Sequence, residues 1–570
     1  MAYFLRVMKK EKGKYLQICE TIYDPSTKKS SNRKYQTLGY ENKLINKEVS
    51  DPIKYYKLVV EDLNKKLKEE KSEKVSDKEP VTKNIGYFLI NSVLNTLKVK
   101  DDLNMMGSEK KFQTSIYDFI RFMMFCQIIK PSSKRKNASE ILPSLQDAPS
   151  ISEDQIYRMI NFVGTNYKKY IEIFNEHFEK NYGRKYKNVY FDCTNYYFEI
   201  DVALEDKQKG PSKENQKGPI IGQALLLDAN QIPLAMEMYP GNESEKPYIR
   251  KLINEVKNKT GITSRTIQVA DKGLNCARNI YFATKEANDG YVFSKSVHGK
   301  NLSEQERKWI LLDNEQNIWH EIKDAKGNLL YKYKEAIDVF EYKFINDSNE
   351  KISFKQREKR VVSYNPDLAK KQILEINKEV EKVKKLNTIK AVSKSDYGDS
   401  IKYVTFCDNN GEIIDTKPTI NYAKIEEDKS FAGYNLIVTS ETNLNGKEIY
   451  DIYHGLWRIE ESFRIMKYYL EARPAFMQTK ESIYGHFLIC YLCLFTIRIL
   501  ELKEFNDELT TYEIINYMRK FNLTKINEKF ISNILMSDTL KAIQSKTGIA
   551  TLDNAYLTRK NISNLLDYEF

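Results

Sequence analysis

Three acidic residues occupy positions where a carboxylate has chemistry to do. Asp192 lies in the middle of YFDCTNYYFEI, whose alternation puts Tyr190, Asp192, Thr194 and Tyr196 on one face of a strand and Val189, Phe191 and Cys193 on the other. A carboxylate inside a buried strand is costly unless it is paired or holds a cation. Asp271 closes TIQVAD and is followed by Lys272-Gly273, at the strand end where an α/β sheet presents reactive groups. Glu460 lies in DIYHGLWRIEESFRIMKYYLEARP. At about 100° per residue, Tyr453, Leu456, Glu460, Arg464 and Lys467 share a stripe, with the two cations roughly 6 and 10 Å beyond the carboxylate. Glu461 is rotated away by about 100°, so Glu460 is the preferred member of the pair. Three carboxylates suit hard divalent cations: two Mg²⁺ ions about 4 Å apart, with Mn²⁺ substituting, activate an attacking oxygen and stabilise a leaving one in phosphodiester cleavage. Each residue taken alone also has a plain structural reading, Asp as a strand-end cap and Glu460–Arg464 as a surface i,i+4 pair worth a few tenths of a kcal/mol.

The elements needed to hold these groups are legible around them. NVYFDCTNYYFEI (188–200), IIGQALLLD (220–228) and IPLAMEMYPG (232–241) read as an antiparallel meander turning at DANQ. SEKPYIRKLINEVKNKT (244–260) has helical spacing, RTIQVAD (265–271) is a short buried strand, NCARNIYFATKEAN (275–288) a helix and GYVFSKS (290–296) a strand. The order β-β-β-α-β-α-β fits a mixed sheet with helices on both faces and resembles the RNase H-like arrangement. Around this core (183–297 and 431–500) the chain divides into a small β unit (1–50), a helix and polar linker (51–84) and a helical segment expected to bind DNA ends (85–182). A mainly β insertion (298–430) and a helical C-terminal region (501–570) complete it. The insertion mixes NLLYKYK, VFEYKFI, SIKYVTF and EIIDTKP with one charged helix, 368–386, and a long helix is expected from Gly446 to about Leu470. The fold class is multi-domain α/β.

Composition narrows the partners. The 570 residues carry 91 basic and 79 acidic side chains, net +12, which permits a polyanionic partner without demanding one. The basic turn KPSSKRKN (130–137) either grips phosphates or is a solvated loop. Seven scattered cysteines argue against a disulfide framework, and Cys490 and Cys493 read as a buried helical pair rather than half a zinc site. The apolar run Phe487–Leu500 is short and interrupted for a membrane span, and the N-terminus lacks signal-peptide order, so a soluble, cytoplasmic protein is expected. His177, His298, His320, His454 and His486 are dispersed, with His454 adjacent to Tyr453, and neither a Walker loop nor a dinucleotide glycine motif is present.

Taken in order, YFDCTNYYFEI, GQALLLDANQIPLAMEMYPGNESE, VADKGL and YHGLWRIEESFRIMK resemble the DDE transposases of bacterial insertion sequences. The group they are most similar to has a Tyr-x2-Arg-x3-Glu-x6-Lys signature and a β insertion before the last carboxylate. The resemblance covers 188–300 and 431–500 well and the N-terminal units loosely. It implies that Asp192, Asp271 and Glu460 bind the metals, that Tyr453 and Lys467 contact the DNA end being cut, and that double-stranded DNA is the substrate. Leu456 stands where the signature has arginine, which puts a hairpin intermediate in question; Arg464 supplies a charge on the same stripe. Lys272 joins the expected DNA contacts. Trp309 and Trp319, at the start of the insertion, are either stacking groups or core residues. Cut-and-paste transposition brings two ends together, hence a homodimer on DNA. The rival expectations are a catalytically idle DNA-binding descendant, and a two-carboxylate glycosidase suited by the 39 Tyr and 26 Phe.

Overall fold

The computed structural model describes the chain except residues 1, 25–28, 46–48, 73–80, 201, 214–217, 261–263, 299–301, 313–317, 388–396, 406–417, 474, 476, 527 and 528. Most of the expected linker and nearly all of EIIDTKP therefore lie outside the described residues. The molecule is a mixed α/β protein in two units, 1–81 with 525–528, and 82–524 with 529–570.

In the first unit, β1 (Ala2–Lys10), β2 (Gly13–Asp24) and β3 (Lys29–Tyr40) form an antiparallel meander, with Lys10 paired to Gly13 across a two-residue turn. Leu16, Ile18 and Cys19 are its buried residues. The helix α1 (Pro52–Ser72) is fixed to β1 by one side chain. The Asn64 amide accepts from Tyr3 N at 2.8 Å and donates to Tyr3 O at 2.9 Å, capping backbone groups of an edge strand.

The second unit opens with helices α2 (Phe88–Leu97), α3 (Ile116–Ile129), α4 (Glu153–Thr165) and α5 (Tyr167–Tyr182). The meander follows as β4 (Asn188–Tyr197), β5 (Ile220–Leu227) and β6 (Pro233–Pro240), then α6 (Lys246–Thr260), β7 (Ile267–Ala270) and β8 (Gly290–Lys295). The segment expected as an insertion supplies β9 (His320–Lys323), β10 (Leu329–Ile345), β11 (Lys351–Tyr364) and α7 (Pro366–Leu386). The chain then gives β12 (Tyr434–Thr439), α8 (Gly446–His454), α9 (Trp457–Arg464) and α10 (Lys480–Ile499).

One nine-stranded sheet runs β9-β10-β11-β12-β8-β7-β4-β5-β6. Within it β4, β7 and β8 are parallel and the other neighbours antiparallel. Alternation along β4 serves two cores. Tyr190 and Tyr196 enter the one shared with α3, α4, α5 and α10, while Val189, Phe191 and Cys193 enter the one shared with Ile249, Leu252 and Ile253 of α6.

Two expectations change. The helix from Gly446 to Leu470 is broken: hydrogen bonds from Leu456 N to Tyr453 O and from Ile459 N to Leu456 O tighten the backbone to i→i+3 spacing between α8 and α9. Gly455 sits there because β4 passes beneath; a Cβ at this position would lie 2.6 Å from the Tyr190 hydroxyl oxygen. The apolar helix is longer than the run Phe487–Leu500, extending over Lys480–Glu504, and by length and composition it is enough to cross a membrane. Its preceding turns carry Ser482, Gly485 and His486, yet 94% of its most apolar window is enclosed by protein, where it packs on α3 and α4. Cys490 and Cys493 are free thiols inside it.

Candidate active site

The parallel pairing of β4 and β7 runs Asn188↔Ile267 through Phe191↔Ala270, so Asp192 and Asp271 are the next residue on each of two adjacent strands. Neighbouring strands lie about 4.8 Å apart, which brings the two carboxylates side by side at the carboxyl edge of the pair. β4 continues past Asp192, paired to β5 through Asp192↔Leu225, whereas β7 stops and Asp271 leads into the turn 272–274.

Each carboxylate is held differently. Asp192 Oδ1 accepts from the backbone N–H of Cys193 at 2.7 Å. Asp271 Oδ1 accepts from Ser294 Oγ on β8 at 2.8 Å and from the Tyr453 hydroxyl, at the end of α8, at 3.2 Å. Glu460, on α9, is exposed. Its neighbour Glu461 is tied to Arg458 at 3.1 Å and to the fully buried Arg498 at 2.9 Å, so it serves the fold.

Electrostatics link the group. Burial pushes the Asp192 carboxyl up to about 6, with the negative charges of Glu245 and Asp271 adding to it and Lys213 and the Cys193 N–H opposing. Partial burial and the charge of Asp271 raise Glu460, against Arg464. Burial and the charge of Lys213 push Lys467 down to about 8, with Asp192 opposing. Burial and Asp271 raise Tyr453. Asp192, Asp271, Glu460, Tyr453 and Lys467 thus share one electrostatic neighbourhood.

The remaining expected residues stand at its margin. Arg464 is exposed and lies 3.5 Å from Glu461, its charge still felt by Glu460. Lys272 lines a cavity of about 320 Å³ beside Asp271, together with Ser294, His298, Tyr450, Tyr453 and His454. Leu456 is buried in the helical core, turned there by the tightened backbone after Gly455, so it does not share an exposed stripe with Glu460. Trp309 and Trp319 are partly buried against the second core, with the buried Lys334 ammonium 5.4 and 4.6 Å from their rings.

Two residues of this neighbourhood had no sequence signal strong enough to single them out. Glu245 precedes α6, and Lys213 belongs to the turn-rich stretch KQKGPSKENQKG. The Lys213 ammonium lies 3.7 Å from Asp192 Oδ1 and 3.1 Å from Glu245 Oε2, and donates to Cys193 O at 2.5 Å. Burial alone would lower the Lys213 pKa; Asp192 and Glu245 outweigh that and raise it. The Lys213 ammonium thus sits between the two carboxylates as their counter-cation. Among the described residues no three His, Cys, Asp or Glu side chains yet converge tightly enough to hold one metal ion.

No protein-family model matches the sequence, and no curated protein does. Among solved structures, a cryo-EM structure of the piggyBac transposase synaptic complex with hairpin DNA is similar to 86% of this chain over 88% of its own, at 12% identity and a TM-score of 0.34. A likeness of that size fixes neither fold nor function.

Proposed function

We propose that this chain cuts and joins DNA strands, as a transposase of the bacterial insertion-sequence type, with Asp192, Asp271 and Glu460 as the ligands of two divalent metal ions. The single observation that carries this is the register of β4 and β7, which sets the carboxylate of Asp192, within β4, beside that of Asp271, just past the end of β7, with Lys213 as a counter-cation. The strand order β6-β5-β4-β7-β8, antiparallel through the meander and parallel from β4 to β8, supports an RNase H-like core.

Bound Mg²⁺ or Mn²⁺ would supply an activated water or 3′-hydroxyl and neutralise charge on the leaving oxygen. The chain's own residues have separate tasks. Asp192 must shed the proton that burial favours, and Lys213 must leave the gap between Asp192 and Glu245. The Tyr453 hydroxyl and Ser294 hold the Asp271 carboxylate in a fixed rotamer, so one ligand is pre-oriented. Lys467 and Arg464 attract the phosphates of the strand to be cut; a polyanion beside Lys467 opposes the lowering that burial and Lys213 impose on its pKa. Cleavage at paired ends implies two copies of the chain on DNA.

Asp192→Ala is expected to bind DNA from the ends of its element while losing Mg²⁺-dependent nicking and strand transfer in a gel assay. Cleavage retained by this variant would refute the assignment. The rival reading is a DNA-binding descendant without turnover. Wild-type protein that binds the ends yet cleaves in neither Mg²⁺ nor Mn²⁺, with EDTA as the blank, would establish it instead.

A further inference from the structure

A second polar site lies where the basic turn 130–137 meets the residues after α9 and the first turns of α10. A cavity of about 420 Å³ opens there, lined by Ser133, Lys134, Lys136, Arg473 and His486, with Glu471 as the carboxylate among its described lining residues. Lys134 is 1% exposed. Of the three N–H groups on its ammonium, one reaches Gln127 Oε1 at 3.3 Å, and among the described residues no carboxylate pairs with it. Gln127 is itself committed through Nε2 to Leu470 O at 2.6 Å.

The groups around Lys134 do not neutralise it. The acidic groups whose charge acts on it are the thiols of Cys490, Cys126 and Cys493, and burial keeps these thiols protonated, Cys126 and Cys490 being pushed up to about 12. His486 is 6% exposed; its Nε2 bonds to Ala472 O at 3.1 Å and, among the described residues, its Nδ1 has no hydrogen-bond partner. Burial lowers the Lys134 pKa, as the desolvated ammonium has no paired carboxylate among the described residues. Its spare donors at the base of an open cavity, with further cations at the rim, are groups that an anion would satisfy and hold protonated.

The cavity also continues a line of positive charge from the carboxylates. The Lys467 ammonium lies 5.4 Å from the Tyr196 ring and the Arg473 guanidinium 5.4 Å from the Tyr197 ring. Both tyrosines are on β4, the strand that carries Asp192. From Asp192 to Tyr197 the strand rises about 17 Å, the span of roughly five nucleotides of duplex.

We propose that this cavity binds a phosphate group of the DNA strand, a few nucleotides from the bond to be cut, with Lys134 as the buried anchor and Lys136 and Arg473 at the rim. The phosphate chemistry follows from the cavity; its assignment to DNA rests on the proposed function. Lys134→Met keeps the stem and removes the charge, and Lys136→Gln alters the exposed rim should the first variant fail to fold. The probes are inorganic phosphate by calorimetry and a short labelled oligonucleotide by anisotropy, all in EDTA on the full chain. Both ligands are expected to bind the wild type, and to bind Lys134→Met about tenfold or more weakly, the loss expected of one charge-assisted hydrogen bond. Lys136→Gln is expected to weaken both in the same direction. A cooperatively melting Lys134→Met that binds both as the wild type does would make Lys134 a core lysine and overturn the proposal. Weakened phosphate binding with unchanged oligonucleotide binding would overturn the DNA assignment. Lys134-dependent binding in a protein that never cleaves DNA would uphold the cavity and remove the transposase.

Discussion

Asp192 is pulled two ways, by a strand position that favours a neutral group and by a chemistry that requires a charged one. Its carboxyl titrates near 6 in the fold, against about 3.9 in an unfolded chain. The native state therefore binds the extra proton between those values, and stability rises as pH falls from about 6 towards 4. Above pH 6 the ionised form costs about 3 kcal/mol. Asp192→Asn is accordingly expected to melt higher than the wild type at pH 8, with the gap falling to about half at pH 5, because the unfolded carboxyl is still ionised there, and closing only towards pH 4. Melting curves at the two values check this, and an equal gap at both would contradict it. Lys213 lends itself to a companion measurement. If its ammonium occupies the place of a metal, Lys213→Met should bind Mn²⁺ several-fold more tightly at pH 8 by calorimetry; weaker binding would show instead that Lys213 organises the site. Asp192 and Asp271 were legible because a carboxylate interrupting or ending an apolar strand violates the burial pattern. Glu245 and Lys213 break no such pattern, since charged residues are ordinary in turns, and only folding brings them to the carboxylates.

The meander β4–β6 was legible as an element because alternation and the DANQ turn are local signals, and α7 because its 21 residues carry a helical repeat. The break between α8 and α9 was not, because Gly455 acts through Tyr190, far away in sequence. Nor was β10 as one 17-residue strand: its first part is buried in the sheet and its second runs on beyond it, alternating exposed and half-buried positions in a ribbon with β11. The meander's anchor is an ion pair with both side chains fully buried, Arg184 Nη1 to Asp228 Oδ2 at 2.9 Å. Asp228 Oδ1 closes the β5–β6 turn by accepting from the backbone of Asn230 and Ile232, and Arg184 Nη2 donates to Asn175 on α5. Removing one partner leaves a buried, uncompensated charge. Arg184→Ala is expected to cost about 3–5 kcal/mol in a denaturant titration, and a cost below about 1 kcal/mol would mean that water or repacking rescues Asp228.

At the scale of the whole second unit, the sheet decides how the molecule comes apart. The expected insertion, 298–430, does not keep its strands to itself: β11 pairs with β12 from Lys359↔Thr439 to Tyr364↔Tyr434, and β12 in turn pairs with β8. Beneath that seam lies Glu358, 0% exposed, which accepts hydrogen bonds from Tyr342 of β10 at 2.6 Å and from Tyr291 of β8. One buried carboxylate, paired on its own strand with Arg360 at 3.3 Å, thus has hydrogen-bond donors on both sides of the boundary drawn from sequence, and opening either side costs it one of them. The strand that bears Ser294, and through it the orientation of Asp271, is therefore braced by residues from the insertion. Hydrogen exchange is expected to report a single cooperative unit. Amides of Val361–Ser363, Val292–Ser294 and Leu436–Val438 should open with one free energy and share one denaturant dependence. Residues on the outer half of the β10–β11 ribbon should exchange sooner, since little burial protects them. If the Val361–Ser363 amides exchanged at distinctly lower free energy than those of β8, the insertion would be a separable domain, and the positioning of Asp271 would not depend on it.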